Sequence, residues 1–439
     1  MRVSSLNTIY VIFLRLPVDD RLRVLLKEGA TCPADSESDE LKLPDYFDAT
    51  KFRLGQQAFY NNVFSMMVAK LSGLLTLLAV PSILDILIYT RQSGTPCTAF
   101  RRYVSTILHT FVWYEKDPIQ QNEFFKSLHN VRKKHCIVSR RSSEAGLGRI
   151  TQLDMALTQF GFIGFTLLSG DELGVKTTEA ELDGLIHFWR VIGQLLGMDE
   201  RYNLCNGTVE ECRALCRRLL DHVFLPCFAN RNKNFEAMGK VLLEGLWPVN
   251  PHLDPQAYTA FTMQLAVSAA TNNNHSVTID VAGMPAYSRF MLRMQTWVHR
   301  YLMHRAYWWS WFFRGFFNSQ MRLAIFLTEK FPFLAYWMFG RKKSHGRKSA
   351  APARAFISEI DLRTAIYGTS DFERYKFLYK KTSCVRDCRL AHVNKRNKRV
   401  IRVVKYYEYL TESIPADGAK VVEIRLAYKI VTIKSFSKI

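Results

Sequence analysis

Among the nine cysteines, no two form a Cys-x-x-Cys pair and no doubled cluster has zinc-holding spacing. A structural zinc site is therefore not expected, and the cysteines read as reduced thiols in an intracellular setting. The densest group, Cys205, Cys212 and Cys216, falls on an expected helix where 212 and 216 share a face, which favours packing over metal binding. Unbroken apolar runs are also lacking. A membrane span needs about 20 predominantly apolar residues, whereas the stretch at 63–89 is interrupted by Lys70, Pro81 and Asp85 and reads as two buried core helices parted at Pro81. The apolar part of the N-terminus, IYVIFL (9–14), is too short for a secretory signal and leads into RLPVDDRLR. There is no internal repeat, no Walker-type phosphate loop, no GxGxxG after a strand, no HExxH and no GxSxG elbow. Common nucleotide-binding, zinc-protease and serine-hydrolase readings thus have no motif to stand on.

Apolar and aromatic residues, at 48% and 13% of 439 residues, supply material for a large core. The net charge of +21 is concentrated at one end: residues 341–439 carry 24 Lys/Arg against 9 Asp/Glu, leaving 36 against 30 for residues 1–340. The basic runs RKKSHGRKSA (341–350) and NKRNKR (394–399) could neutralise phosphates, but such runs more often form solvated surface or linker. Nucleic acid is therefore not the expected partner.

Three regions follow from composition. Residues 1–45 form a polar, loosely ordered lead-in. Residues 46–340 show apolar recurrence at spacings of three and four, with Gly, Pro, Asn and Asp at the turns, and predict a single large helical domain. Residues 341–439 form a basic linker and a C-terminal extension, in which VVEIRLAYKIVTIKSF (421–436) alternates like a strand. The fold class is thus all-α with an appended segment that carries strand character. Near the end of the helical region, YLMHRAYWWSWFFRGFF (301–317) mixes aromatic residues with Arg, which suits either a membrane interface or an aromatic core edge. AIFLTEKFPFLAYWMFG (324–340) looks interfacial or packed, not spanning.

The segment VRKKHCIVSRR (131–141) sets one histidine among five Lys and Arg residues. On a helix over 125–140, Leu128, Val131, His135 and Val138 form an apolar stripe, so His135 points inward while Arg132, Lys133 and Lys134 spread over the flanks. His129 lies one position off that stripe, and His187 lies on the polar side of its own helix with Asp183, Arg190 and Gln194. An inward histidine on this pattern alone is most simply a hydrogen-bonded core residue. Arg102, Thr106 and His109 share one face of a neighbouring helix and could present polar groups to a common pocket, or form an ordinary surface face.

Five segments together resemble the family that includes latex-clearing protein (rubber oxygenase) and the endoplasmic-reticulum-bound oxygenase of mycophenolic acid synthesis. They are YFDATKFRLGQQAFYNN (46–62), FRRYVST (100–106), VRKKH (131–135), GRITQLDMALTQFGFIGF (148–165) and HFWRVIGQLLGMDERYNLCNG (187–207). The resemblance spans roughly residues 46–340. It implies an all-helical domain with a globin-like core that binds haem b through a proximal histidine. The Arg-x-x-His motif of the rubber-cleaving members falls on Arg132 and His135, making His135 the implied iron ligand and Arg132 a partner for the haem propionates or for groups around the ligand. The Arg-x-x-x-Thr element of the distal side falls on Arg102 and Thr106, with Thr106 29 residues before His135. Where rubber-cleaving members have a lysine just before that threonine, this chain has Ser105, so their distal chemistry does not transfer directly.

Gln152 and Asp154, at the start of a helix capped by Thr151, and Gly193 and Gly197, four apart on one helix, read as scaffold. Cys136 cannot share a metal with His135, because adjacent helical positions diverge by about 100°. The leading expectation is a haem b oxygenase acting with dioxygen on a hydrophobic small molecule such as an isoprenoid or lipid, with peripheral membrane contact, in the cytosol or on the cytosolic face of an internal membrane. A catalytically silent haem-binding or sensing protein, and a membrane-surface or nucleic-acid binding protein using the basic tail, are the alternatives.

Overall fold

The chain divides into two units, Met1–Tyr367 and Gly368–Ile439, and in the first of them apolar residues at helical spacing between turn-forming residues yield helices among the described residues. The computed structural model describes residues 17–35, 41–231, 233–271 and 277–341, and the backbone of 391–394, 399–410 and 423–433. In chain order the helices are α1 (Val18–Lys27), α2 (Ala49–Asn61), α3 (Val63–Leu78), α4 (Pro81–Tyr89), α5 (Pro96–Glu115), α6 (Asn122–Glu144), α7 (Gln152–Leu168) and α8 (Glu179–Leu195). They continue with α9 (Val209–Leu219), α10 (Leu225–Ala229), α11 (Lys233–Leu246), α12 (Pro255–Ala269), α13 (Ala286–Trp297), α14 (Ser310–Lys330) and α15 (Phe333–Phe339).

Local chemistry explains several starts. Thr151, Thr178 and Thr208 each accept from the backbone three residues on, and Asp154, Glu181 and Glu211 reach back to close capping boxes. Pro81 opens α4 and Pro96 opens α5, where a missing N–H costs nothing. The long apolar stretch thus breaks at Pro81 into α3 and α4, as its sequence indicates.

Two glycine pairs set the helix spacing. A Cβ on Gly73 of α3 would lie 2.1 Å from the Gly161 carbonyl oxygen of α7, and one on Gly55 of α2 would lie 2.4 Å from the Gly184 carbonyl of α8. Only glycine permits such backbone approach. Between these crossings the core is aromatic: Tyr114 stacks on Phe59 at 3.7 Å and on Phe188 at 4.3 Å, and its hydroxyl accepts from the Trp189 indole at 2.9 Å.

Within the lead-in, residues 17–35 pack against the helical body, while residues 1–16 and 36–40 lie outside the described residues. Helix α1 buries Leu22 and Leu25, Arg21 donates to the Asn203 carbonyl at 3.3 Å, and Ala34 N–H donates to the Ile150 carbonyl at 2.9 Å. One short apolar stripe suffices because α7 and α9 are there to receive it, which local sequence does not reveal.

No single described helix is long and apolar enough to cross a membrane; α2 and α3 pass only as a pair bent by 93°. Most of α3 is buried inside the first unit. The second unit contains β1 (Ala391–Asn394), β2 (Arg399–Leu410) and β3 (Glu423–Ile433), an antiparallel sheet in the order β1-β2-β3. The strand-like segment at 421–436 contains β3, paired with β2 from Val400 opposite Ile433 to Leu410 opposite Glu423. The basic run 342–350 lies outside the described residues.

Candidate functional site

A cavity of about 1250 Å³ opens within the helical unit, its walls drawn from α3, α5, α6, α7 and α8 and from the α14–α15 segment. Ligand sites commonly occupy ~300–1,000 Å³, so this one has room for a macrocycle and an organic molecule beside it. The walls are mostly apolar, with Phe64, Leu71, Val104, Val131, Phe162 and Ile192 among them.

His135 stands on this wall, between Val131 and Val138 on the same face of α6. Its Nδ1 is buried with no hydrogen-bond partner. Leaving a buried polar atom unsatisfied costs about 1–3 kcal/mol, so the position is one where a bound group would repay the fold. Burial, then the positive charges of Arg102 and Lys134, push the imidazole down to about 4. At neutral pH the ring is uncharged and has a lone pair to offer.

Helix α5 supplies the polar side of the same cavity through Arg102, Ser105, Thr106 and His109. Arg102 Nη1 donates to Thr90 Oγ1 at 3.1 Å and to Ser93 Oγ at 3.4 Å. No carboxylate reaches its guanidinium among the described residues, and burial lowers its pKa. The Thr106 hydroxyl donates to the Arg102 carbonyl at 3.2 Å, one turn back. His109 Nδ1 lies 2.8 Å from Ser127 Oγ, which also accepts from the Trp113 indole at 2.9 Å. Burial, with Lys134 nearby, brings His109 down to about 4, so it too is neutral.

The structure therefore brings Arg102, Thr106, His109 and His135 to one cavity. Arg132 is not on that wall: its Nη1 donates to the Leu195 carbonyl at 3.3 Å, at the negative end of α8. Three residues before His135 on α6, it points to the next helix instead, where it braces the histidine's element. Cys136 is buried away from the cavity. Cys205, Cys212 and Cys216 are core residues whose thiols burial pushes upward, Cys212 to about 12.

The segments read as scaffold behave accordingly. Gln152 Nε2 donates to the Gly197 carbonyl at 3.2 Å and its Oε1 accepts from Asp199 N–H at 3.0 Å. His187 Nε2 accepts from Asp48 N–H at 3.0 Å, and Arg190 pairs with Glu200 at 2.5 Å. A Cβ on Gly193 would meet Gln159 Nε2 at 2.9 Å, whereas Gly197 follows the end of α8 with φ +102°. Gly193 thus serves packing and Gly197 serves the backbone turn.

A buried cation on the wall escaped sequence reasoning. Lys70 of α3 lines the cavity with its side chain buried. Its only signal was a charge inside an apolar helix, which reads first as an interruption of a membrane span.

These residues suit a haem. An orphaned neutral imidazole offers an iron ligand, a guanidinium free of protein carboxylates suits propionates, and the apolar volume suits a macrocycle. Among the described residues no group of three or more His, Cys, Asp or Glu could hold a bare metal ion.

Comparison with known proteins yields a family and a distant structural likeness. The solved structure of latex clearing protein LCP in the closed state is similar at a TM-score of 0.47 and 15% identity, over 71% of this chain and 89% of that one. No curated protein matches. The model of the ER-bound oxygenase mpaB/B'/rubber oxygenase catalytic domain matches residues 58–314, a stretch that holds Lys70, Arg102, Thr106 and His135. With more than half of its length matched, this chain belongs to the ER-bound oxygenase mpaB/B'/rubber oxygenase catalytic-domain family.

Proposed function

We propose that this protein is a haem b-dependent oxygenase that acts with dioxygen on a hydrophobic substrate, an isoprenoid or another lipid. Membership of an oxygenase family supports the reaction class. The observation that carries the haem assignment is His135, a half-buried neutral imidazole whose buried Nδ1 is orphaned, on the wall of a large apolar cavity.

Haem, when bound, supplies the activation of dioxygen. The chain's own residues do the rest. His135 donates its lone pair, and its pKa near 4 keeps it from being protonated at neutral pH. Arg102 would meet the carboxylates of the macrocycle. Ser105, Thr106 and His109 place uncharged polar groups along the α5 wall, and Ser105 in place of a lysine leaves that position without a strong donor. The apolar walls exclude water and hold the substrate.

Peripheral contact with a bilayer belongs to the same reading. Trp308 and Trp337 are 80% and 78% exposed, with Trp311, Phe312, Phe316 and Phe333 also facing outward and Arg300 and Arg305 among them. Aromatic rings interspersed with arginine match the boundary between acyl chains and anionic headgroups. The α14–α15 segment that exposes Phe331 and Phe333 also contributes Lys330 and Pro332 to the cavity wall, so a lipid taken from a membrane has a short way to the site. The proposed location is the cytosol or the cytosolic face of an internal membrane.

The decisive test is the absorption spectrum of purified protein with and without haemin, beside His135→Ala. A Soret band in the wild type that is lost or clearly shifted in the variant supports the reading. A folded wild type that takes up no haem overturns it. Oxygen consumption with lipids then separates an oxygenase from a silent haem binder.

A further inference from the structure

Among the cations that line the cavity, Lys70 is buried, whereas Arg91, Arg101, Lys134, Arg141 and Lys330 are exposed, and the haem assignment leaves Lys70 without a task. It lies one turn before Gly73, where α3 crosses α7 closely enough that a Cβ would strike the Gly161 carbonyl. Its exposure is 9%. Nζ donates to Thr110 Oγ1 at 3.1 Å and stands 5.0 Å from the centre of the Phe162 ring. The direction of the first bond is set by Thr110, whose own proton goes to the Thr106 carbonyl at 2.6 Å.

An ammonium has three donors, and here one is used by protein. No carboxylate acts on it among the described residues; burial is the sole influence on its titration, lowering it to about 7. A buried cation without a counter-charge is costly, and an anion brought into the cavity would supply that charge and complete the two remaining donors. A single positive charge with two remaining donors matches a monoanionic carboxylate better than a more highly charged phosphate.

We propose that Lys70 is the headgroup anchor of the cavity, and that the cavity accepts a lipid carboxylic acid whose carboxylate pairs with the Lys70 ammonium while its chain lies along the apolar walls. This rests on reading the cavity as the substrate site. It deepens that reading by naming the end of the molecule the protein recognises.

The test compares dodecanoate with methyl dodecanoate, two ligands with the same chain and different charge, by calorimetric titration of the haem-loaded protein near pH 7. Wild type should bind the acid roughly 10- to 100-fold more tightly than the ester, the worth of a charged hydrogen bond. Lys70→Met should bring acid and ester to parity by weakening the acid alone, and Lys70→Arg should retain a preference for the acid. Equal affinity in wild type, binding of neither ligand, or an undiminished preference in Lys70→Met overturns the proposal. The wild-type ratio needs no variant to fold. A missing Soret band on the same samples would sink the haem reading, while the acid-to-ester ratio would still decide this one.

Discussion

His135, His109 and His299 are all held neutral by burial, each pushed down to about 4. His299 illustrates the ordinary use of such a residue: its ring stacks on Phe64 and Phe261, Nδ1 meets the Leu173 carbonyl at 3.0 Å and Nε2 meets Gln295 at 2.9 Å. His135 differs in having no partner for Nδ1. Because these folded-state values lie below the ordinary ~6.5, the unfolded chain takes up the protons first on acidification. Their contribution to stability is whole above about pH 6.5 and is lost as pH falls toward 4, on the order of 3 kcal/mol for a fully buried ring such as His299. Urea unfolding at pH 7 and pH 4.5 should show the wild type losing stability over this interval and His299→Phe losing measurably less. An equal loss in both would remove His299 from the account. At this scale the inward direction of His135 was legible from the spacing of Leu128, Val131 and Val138, whereas the orphaned nitrogen depends on what the neighbouring helices fail to offer.

Helix starts were largely legible, because capping threonines and the prolines at 81 and 96 act over three or four residues. Helix crossings were not. Gly193 announced a close approach, but Gly73 and Gly161 stand in α3 and α7, far apart in sequence, and neither has a meaning until the two helices meet. Their crossing sets Lys70 against Phe162 and with it one wall of the cavity. Gly73→Ala would press a methyl into a backbone carbonyl that cannot rotate away, and should cost about 3 kcal/mol or more. Chemical denaturation read by far-UV circular dichroism checks this; a loss below about 1 kcal/mol, the propensity gain from alanine aside, would mean that the crossing yields.

For the whole molecule, what counts is which surfaces remain uncovered once the core has formed. The aromatic residues of 301–338 were ambiguous as sequence; Phe317 stacks on Phe64 of α3, whereas Trp308, Trp311 and Trp337 face outward. Replacing these three with serine should weaken sedimentation with anionic phospholipid vesicles by about tenfold or more, since burying each indole is worth upward of 1 kcal/mol. Haem content should stay unchanged. Unaltered vesicle binding would shift the membrane contact to another surface, and the basic residues beyond 341 would be the next to remove.

The sequence by itself determined the helical class of the main unit, the break at Pro81, the inward face of α6 and the family, because these follow from periodicity, local capping and ordered short motifs. Tertiary structure alone decided that Arg102 shares a cavity with His135 while Arg132 turns to the end of α8. It likewise decided that the lysine interrupting an apolar helix is a buried wall residue and that residues 18–35 join the core. The physical reason is common to all four: each outcome depends on which distant helix arrives opposite a side chain, and a helix's own residues carry no record of that.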